Sequence, residues 1–248
     1  MPSVVSYNAP PHGRTVVGAA AAALRSERPV WTVHDSKRLI GRAFADPLVQ
    51  QEAAHLPYGV VAGGADGQTA ALEVGGPAFG GGPAVTPEAV AATLLRQLKR
   101  AAERARPVAS LLGFSFGSAT VSVPVAFDRR QRAATLAAGR AAGFRLVRLL
   151  EEPVAAAVAY GLHDSGGART VVGYDMGGGT LDVAVLRLER ASRTFLVMAT
   201  AGDPHLGGED FDRALAVRVP SASLRVCFWA HALRRCRPGC ARARRWLT

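Results

Sequence analysis

The order of elements written between Ala119 and Glu189 constrains the fold more than any other feature of this chain. "ATVSVPVAF" (119–127) is short and β-branched, so it reads as a strand. Asp128 can cap "RRQRAATLAAGRAA", a helix that Gly143 closes. "FRLVRLL" (144–150) is a second strand, Pro153 opens the helix "VAAAVAYGL", and "RTVVGYD" (169–175) is a third strand. Strands alternating with helices predict an α/β fold with a parallel sheet covered by helices. After Met176 the text changes to three glycines and Thr180, then to "LDVAVLRLE", which alternates again. Leu181, Val183 and Val185 fall on one face, and Asp182, Ala184 and Leu186 on the other. A strand placed directly after a glycine turn makes a hairpin. The glycines therefore do not open a helix, which argues against a Walker-A loop and a dinucleotide fingerprint.

The glycine turn carries the chemistry. Three glycines expose successive backbone N–H groups with no Cβ in the way, a concavity suited to phosphate oxygens. Thr180 adds a hydroxyl. Asp175 and Asp182 would repel a bare phosphate, so they make sense with a divalent cation between them and the phosphates. The pattern D-x-G-G-G-T-x-D thus reads as a metal–nucleotide phosphate clasp, against the plainer alternative of a decorated hairpin turn.

Upstream, "GGPAFGGGP" (75–83) reads as a flexible loop. Thr86-Pro87-Glu88 starts a helix, and Val90, Leu94, Leu98 and Ala102 give it one apolar stripe to about residue 105. Val16 to Leu24 imitates a signal peptide behind Arg14, but its late start and single basic residue favour an alanine-rich surface helix. No apolar run reaches the roughly 18 residues of a spanning helix. The net charge of +11 resembles a nucleic-acid signature until its distribution is read. Nine arginines and no acidic residue lie from Arg213 onward, which leaves 21 basic and 19 acidic residues before it. The body is near neutral, and the tail could bind RNA or acidic lipid only without specificity. Cys227, His231, Cys236 and Cys240 in that tail are four possible zinc ligands without the turn chemistry of a zinc knuckle. "GFSFG" (113–117) fits a nucleophile elbow formally, but a helix precedes it and a strand follows, the reverse of what the elbow needs.

"DMGGGTLDVAVL" resembles the second phosphate loop of the actin-like ATPases, specifically the heat shock protein 70 family. "VSVPVAFDRRQRAATLAAGRAAGFRLVRLLEEPVAAAVAYGL" (121–162), "TVHDSKRLIGRAFADPLVQ" (32–50) and "ATAGDPHLGGEDFD" (199–212) resemble the same family. "PSVVSY", "SVPVAFD", "YGLH" and "GGGTLDV" lean toward its microsome-associated branch, which has an ATPase core and no peptide-binding domain. The resemblance implies an actin-like, ribonuclease-H-like fold over residues 1–215, most of lobe I plus the first hairpin of lobe II. Residues 216–248 are expected to be an unrelated, disordered basic tail.

The resemblance also implies site roles. Lys37 corresponds to the lysine that orients the attacking water and γ-phosphate, and Glu152 to a glutamate near the metal's water shell. Asp175 and Asp182 correspond to the aspartates that hold Mg²⁺, through water, and K⁺. Gly177, Gly178, Gly179 and Thr180 form the phosphate loop. Pro124 and Arg132 correspond to a pair that signals nucleotide state to a peptide-binding domain, and a structural role is expected of them here. The implied ligands are ATP or ADP with Mg²⁺ and K⁺; the implied partners are co-chaperones and nucleotide-exchange factors, without direct binding of unfolded clients. The microsome or endoplasmic reticulum is the compartment if the branch holds, the cytoplasm otherwise.

Departures bear on activity. The family's first phosphate loop, D-x-G-T-T, and its adenosine pocket have no counterpart in these 248 residues. Glu151 replaces an asparagine and Pro204 a threonine, and similarity stops after about Leu215, as a shifted frame or alternative exon would produce. The expected function is the ATP-binding and ATP-hydrolysing core of a heat-shock chaperone, impaired in this chain. The alternatives are a non-catalytic adaptor acting through protein contacts and a nonspecific nucleic-acid binder acting through the tail.

Overall fold

The computed structural model describes residues 1–9, 13–64, 66–75, 84–106, 114–162, 169–189, 194–204 and 206–218. The proposed loop at 76–83, the possible zinc ligands and residues 219–248 of the basic tail lie outside them.

The described strands form four sheets. The first begins with β1 (Val5–Ala9), β2 (Arg14–Val17), the short α1 (Ala19–Ala22) and β3 (Thr32–Val33), paired in the order β2-β1-β3. Only four residues of the alanine-rich stretch are helical, because β2 takes its start. Helix α2 (Pro47–Ala53) is capped by Asp46, whose carboxylate accepts from the Leu48 amide at 2.9 Å. Strands β4 (Gly59–Gly63), β5 (Thr69–Glu73) and β6 (Ala84–Val85) form an antiparallel sheet beside it. Val5, Val33, Leu39, Val49, Tyr58, Leu72 and Val90 close one hydrophobic core between these pieces.

Helix α3 (Pro87–Arg104) starts where its cap residues predict, with Thr86 Oγ1 accepting from the Ala89 amide. Its stripe is buried only at the front: Val90 is fully buried, whereas Leu98 is 48 % exposed and Ala102 is exposed. Strands β7 (Ser118–Val123) and β8 (Leu146–Glu151) pair in parallel, joined by α4 (Arg129–Ala141). Asp128 and Gln131 make a reciprocal capping box at the start of α4, and Gly143 takes the left-handed φ of 92° that ends it. Helix α5 (Glu152–Ala159) opens with Pro153 in its first turn.

The third strand of the expected parallel sheet goes elsewhere. Strand β9 (Arg169–Met176) joins β10 (Leu181–Glu189) and β11 (Thr194–Asp203) in a separate antiparallel sheet, order β11-β10-β9. A hairpin partner four residues away costs little loop entropy, and β9 takes it in place of an edge on β8. Ala184, Leu186 and Leu188 are the buried face of β10, covered by Ala157 and Val154 of α5 and by Phe195 and Val197 of β11. The core face is therefore the one that carries Asp182 at its turn end. Helix α6 (Gly208–Arg218) returns to the glycine turn.

Candidate functional site

The glycine turn closes with the Gly177 amide donating to the Thr180 carbonyl at 3.0 Å. Register places Asp175 directly opposite Asp182, so two carboxylates share one face of the hairpin. Like charges directly opposite are destabilising in a sheet, and a cation between them removes that cost. None of Gly177, Gly178 and Gly179 has a left-handed φ, so the backbone conformation does not require glycine there. A Cβ on Gly178 would project into open space. Among the described residues no oxygen accepts from the Gly178 or Gly179 amides. Two amides without acceptors thus lie beside open space at Gly178.

What approaches the glycines from behind is another backbone. Helix α6 donates from the Gly208 amide to the Gly177 carbonyl at 3.0 Å, and from the Glu209 amide to the Gly178 carbonyl at 2.9 Å. A Cβ on Gly207 would lie inside the Gly178 peptide. The carbonyls of the turn are thus held by α6, which leaves its amides to the opposite side. Gly179 packs instead on the Arg38 guanidinium, 3.1 Å from where its Cβ would stand to Nε.

Lys37 and Glu152 meet at this place from distant parts of the chain. Lys37 Nζ donates to Glu152 Oε1 at 2.7 Å, from the single 3₁₀ turn Ser36–Arg38 to the first residue of α5. Lys37, Glu152, Gly177, Gly178, Gly179 and Thr180 line one cavity of about 700 Å³. Asp182 lines an adjoining cavity of about 290 Å³ together with Lys37 and Thr180. Asp175 is exposed and lines neither. The larger cavity has an apolar part to its lining, with Val4, Leu94, Leu95 and Leu98.

Sequence reading passed over the residue that anchors this geometry. Arg38 is buried and reaches both carboxylate oxygens of Glu52, at 2.9 and 3.1 Å, and Asp210 Oδ2 at 2.8 Å. Asp210 in turn accepts from the Gly207 amide at 2.8 Å. Burial pushes the Asp210 carboxyl up, but the hydrogen bond and charge of Arg38 outweigh it and hold the group below the usual carboxylate range. The only signal was an arginine beside Lys37, and nothing local pairs it with an aspartate 172 positions away. Arg132 is held by the Val125 and Phe127 carbonyls and by Glu151, so it fastens the loop after Pro124 onto the end of β8. Ser115 donates to Glu103 at 2.5 Å from a coil after α3, with β7 following, which is not a nucleophile elbow.

Comparison with known proteins places this geometry in context. Residues 1–220 match the family model described as Hsp70 protein. The chain is similar to a heat shock 70 kDa protein of Neurospora crassa, 41 % identical over 240 residues that cover 94 % of this chain and 35 % of that protein. It is 40 % identical, over the same coverage, to heat shock 70 kDa protein 2 of Paracoccidioides lutzii. The chain thus spans about a third of the length of these relatives.

Proposed function

From a chain that belongs to the Hsp70 family and has its α/β, actin-like ATPase fold, we propose that residues 1–215 hold the phosphates of magnesium–ATP or –ADP in a chaperone ATPase core. The observation that carries this reading is the cross-strand pair Asp175–Asp182 beside two amides without acceptors. A repulsive carboxylate pair next to free N–H donors suits a cation and an anion bound together. The donor set is all oxygen, which fits Mg²⁺ held through water and, at Asp182, K⁺. The ion, when bound, neutralises charge developing on phosphate oxygens.

In this reading the Gly178 and Gly179 amides receive phosphate oxygens, and Thr180 adds its hydroxyl. Lys37 holds water in line with the γ-phosphate, and Glu152 sets the lysine's position through their ion pair. Helix α6 fixes the turn from behind, so its amides stay aimed without reorganisation. "PSVVSY", "SVPVAFD", "YGLH" and "GGGTLDV" support the microsome-associated branch as the finer assignment. Co-chaperones and nucleotide-exchange factors are the partners this reading implies. The apolar wall of Val4, Leu94, Leu95 and Leu98 favours a second reading for residues 1–248 taken alone, an adaptor that turns over no nucleotide.

Calorimetric titration with magnesium–ADP tests the clasp. Asp175→Asn and Asp182→Asn should each weaken binding at least tenfold while lowering thermal stability little. Unchanged affinity in both would return the glycines to a decorated turn.

A further inference from the structure

A second cluster shares the cavity of about 700 Å³ that the glycine turn lines, and contains neither Asp175 nor Asp182. His34 and Asp35 end the strand-to-3₁₀ connection after β3, and Glu209 lies in the first turn of α6. His34 Nδ1 lies 2.7 Å from Asp35 Oδ2 and 3.9 Å from Glu209 Oε2. One ligand atom from each residue lies within 4.8 Å of the other two. Asp35 and Glu209 both present carboxylate oxygens to the one imidazole, an accumulation of like charge that a cation relieves. All three side chains are partly buried, at the edge of a cavity of about 270 Å³.

We propose that His34, Asp35 and Glu209 form a binding site for a divalent transition-metal ion, separate from the clasp at Asp175 and Asp182. One imidazole nitrogen and two carboxylate oxygens are a donor set for Zn²⁺, Co²⁺ or Mn²⁺, and water would fill the remaining positions. Bonds of about 2.0–2.2 Å in a tetrahedral shell place ligand atoms roughly 3.3–3.6 Å apart. The observed 2.7 and 3.9 Å from the imidazole nitrogen bracket that span, and all three ligand atoms lie within 4.8 Å of one another.

The groups around the cluster already orient it. Arg25 NH1 holds Glu209 Oε1 at 3.2 Å, which leaves Oε2 turned toward His34. Tyr58 donates its hydroxyl to the His34 carbonyl and meets the imidazole edge-on, with ring centroids 5.8 Å apart. Such outer contacts fix ring and carboxylate orientation in metal sites. An ion here would tie the end of β3 to Glu209, whose own amide holds the Gly178 carbonyl. Occupancy would brace the glycine turn from outside.

The test is cobalt titration of the full chain without nucleotide, with Cys227, Cys236 and Cys240 each changed to Ser so that tail thiols cannot compete. One Co²⁺ should bind, with affinity reduced at least tenfold by His34→Phe and by Glu209→Gln and unaltered by Asp182→Asn. X-ray absorption on the metal-loaded chain that retains His34 should show one imidazole among oxygen ligands. That signal reads the site even if a variant folds poorly. An all-oxygen shell, or cobalt binding lost in Asp182→Asn and kept in both cluster variants, overturns the proposal. Absence of any bound cobalt also overturns it.

Discussion

Replacing Arg38 with Met should cost more stability than any other single change near the site. The guanidinium makes two hydrogen bonds to Glu52, whose side chain is 7 % exposed, and one to Asp210. Met keeps much of the apolar stem, so the loss is chiefly that of the cation. Removing one partner of a buried ion pair costs about 3–5 kcal/mol, because the carboxylate left behind loses its bidentate cation in a buried place. With a urea slope of about 2–3 kcal/mol per molar, the unfolding midpoint should fall by roughly 1–2 M. Adding Glu52→Gln to Arg38→Met should recover a substantial part of that shift, since the stranded charge is then gone. The acid limb should move as well. Asp210 has a folded-state pKa below its unfolded value, so its contribution is present above about pH 4 and is lost as pH falls through the lowered value. Without Arg38 that contribution disappears, and the fall of stability with acid below about pH 4 should be shallower than in the parent chain. A midpoint shift under about 0.3 M, or a double variant no more stable than Arg38→Met, would refute the view that this network is one unit.

Two alanine substitutions in the same turn should behave oppositely. Gly207→Ala places its Cβ against the Gly178 backbone and should cost about 1–3 kcal/mol in thermal or urea unfolding. Gly178→Ala meets open space, so stability should change by no more than about 0.5 kcal/mol while magnesium–ADP affinity falls at least tenfold. In a phosphate-release assay, purified residues 1–248 should turn over no ATP above background, and Lys37→Ala should be indistinguishable from them. The rest of the cavity lining includes Val4, Leu94, Leu95 and Leu98, whose side chains offer no donor to phosphate. Binding of RNA or anionic vesicles should weaken steeply with salt and vanish on removal of residues 216–248, as the arginine content of that segment requires.

Local grammar made part of this molecule legible. Thr86 and Pro87, Asp128, Gly143 and Pro153 each act within one turn of helix, and every helix boundary they announce is observed. The hairpin at Met176–Leu181 was readable for the same reason, since its pairing needs no distant partner. Reading failed where two local choices competed. Strand β9 carries the β-branched text of a buried parallel strand, yet its pairing was decided by the nearest available edge, that of β10. Alternation in β10 offered two faces, and the face bearing Asp182 was the one to be buried because α5 and β11 supply its cover.

The glycines show how a correct residue can be noticed for an incomplete reason. Their spacing marks close approach, and close approach is what the structure contains, but from two sides. Gly207 and the α6 amides press on the carbonyl side of the turn, which alone would justify glycine at position 207 and a tight turn at 177–179. Packing does not account for Gly178, whose Cβ would meet nothing, nor does backbone strain, since its φ is not left-handed. A position that tolerates a side chain sterically and conformationally, yet presents an amide without an acceptor among the described residues, is what the proposed clasp requires. Arg38 completes the argument from the other direction. A buried guanidinium held by carboxylates from α2 and α6 costs desolvation to keep, and Gly179 lies against it. The network fixes α6 and the glycine turn in one arrangement, which is what a phosphate cradle built from backbone amides requires.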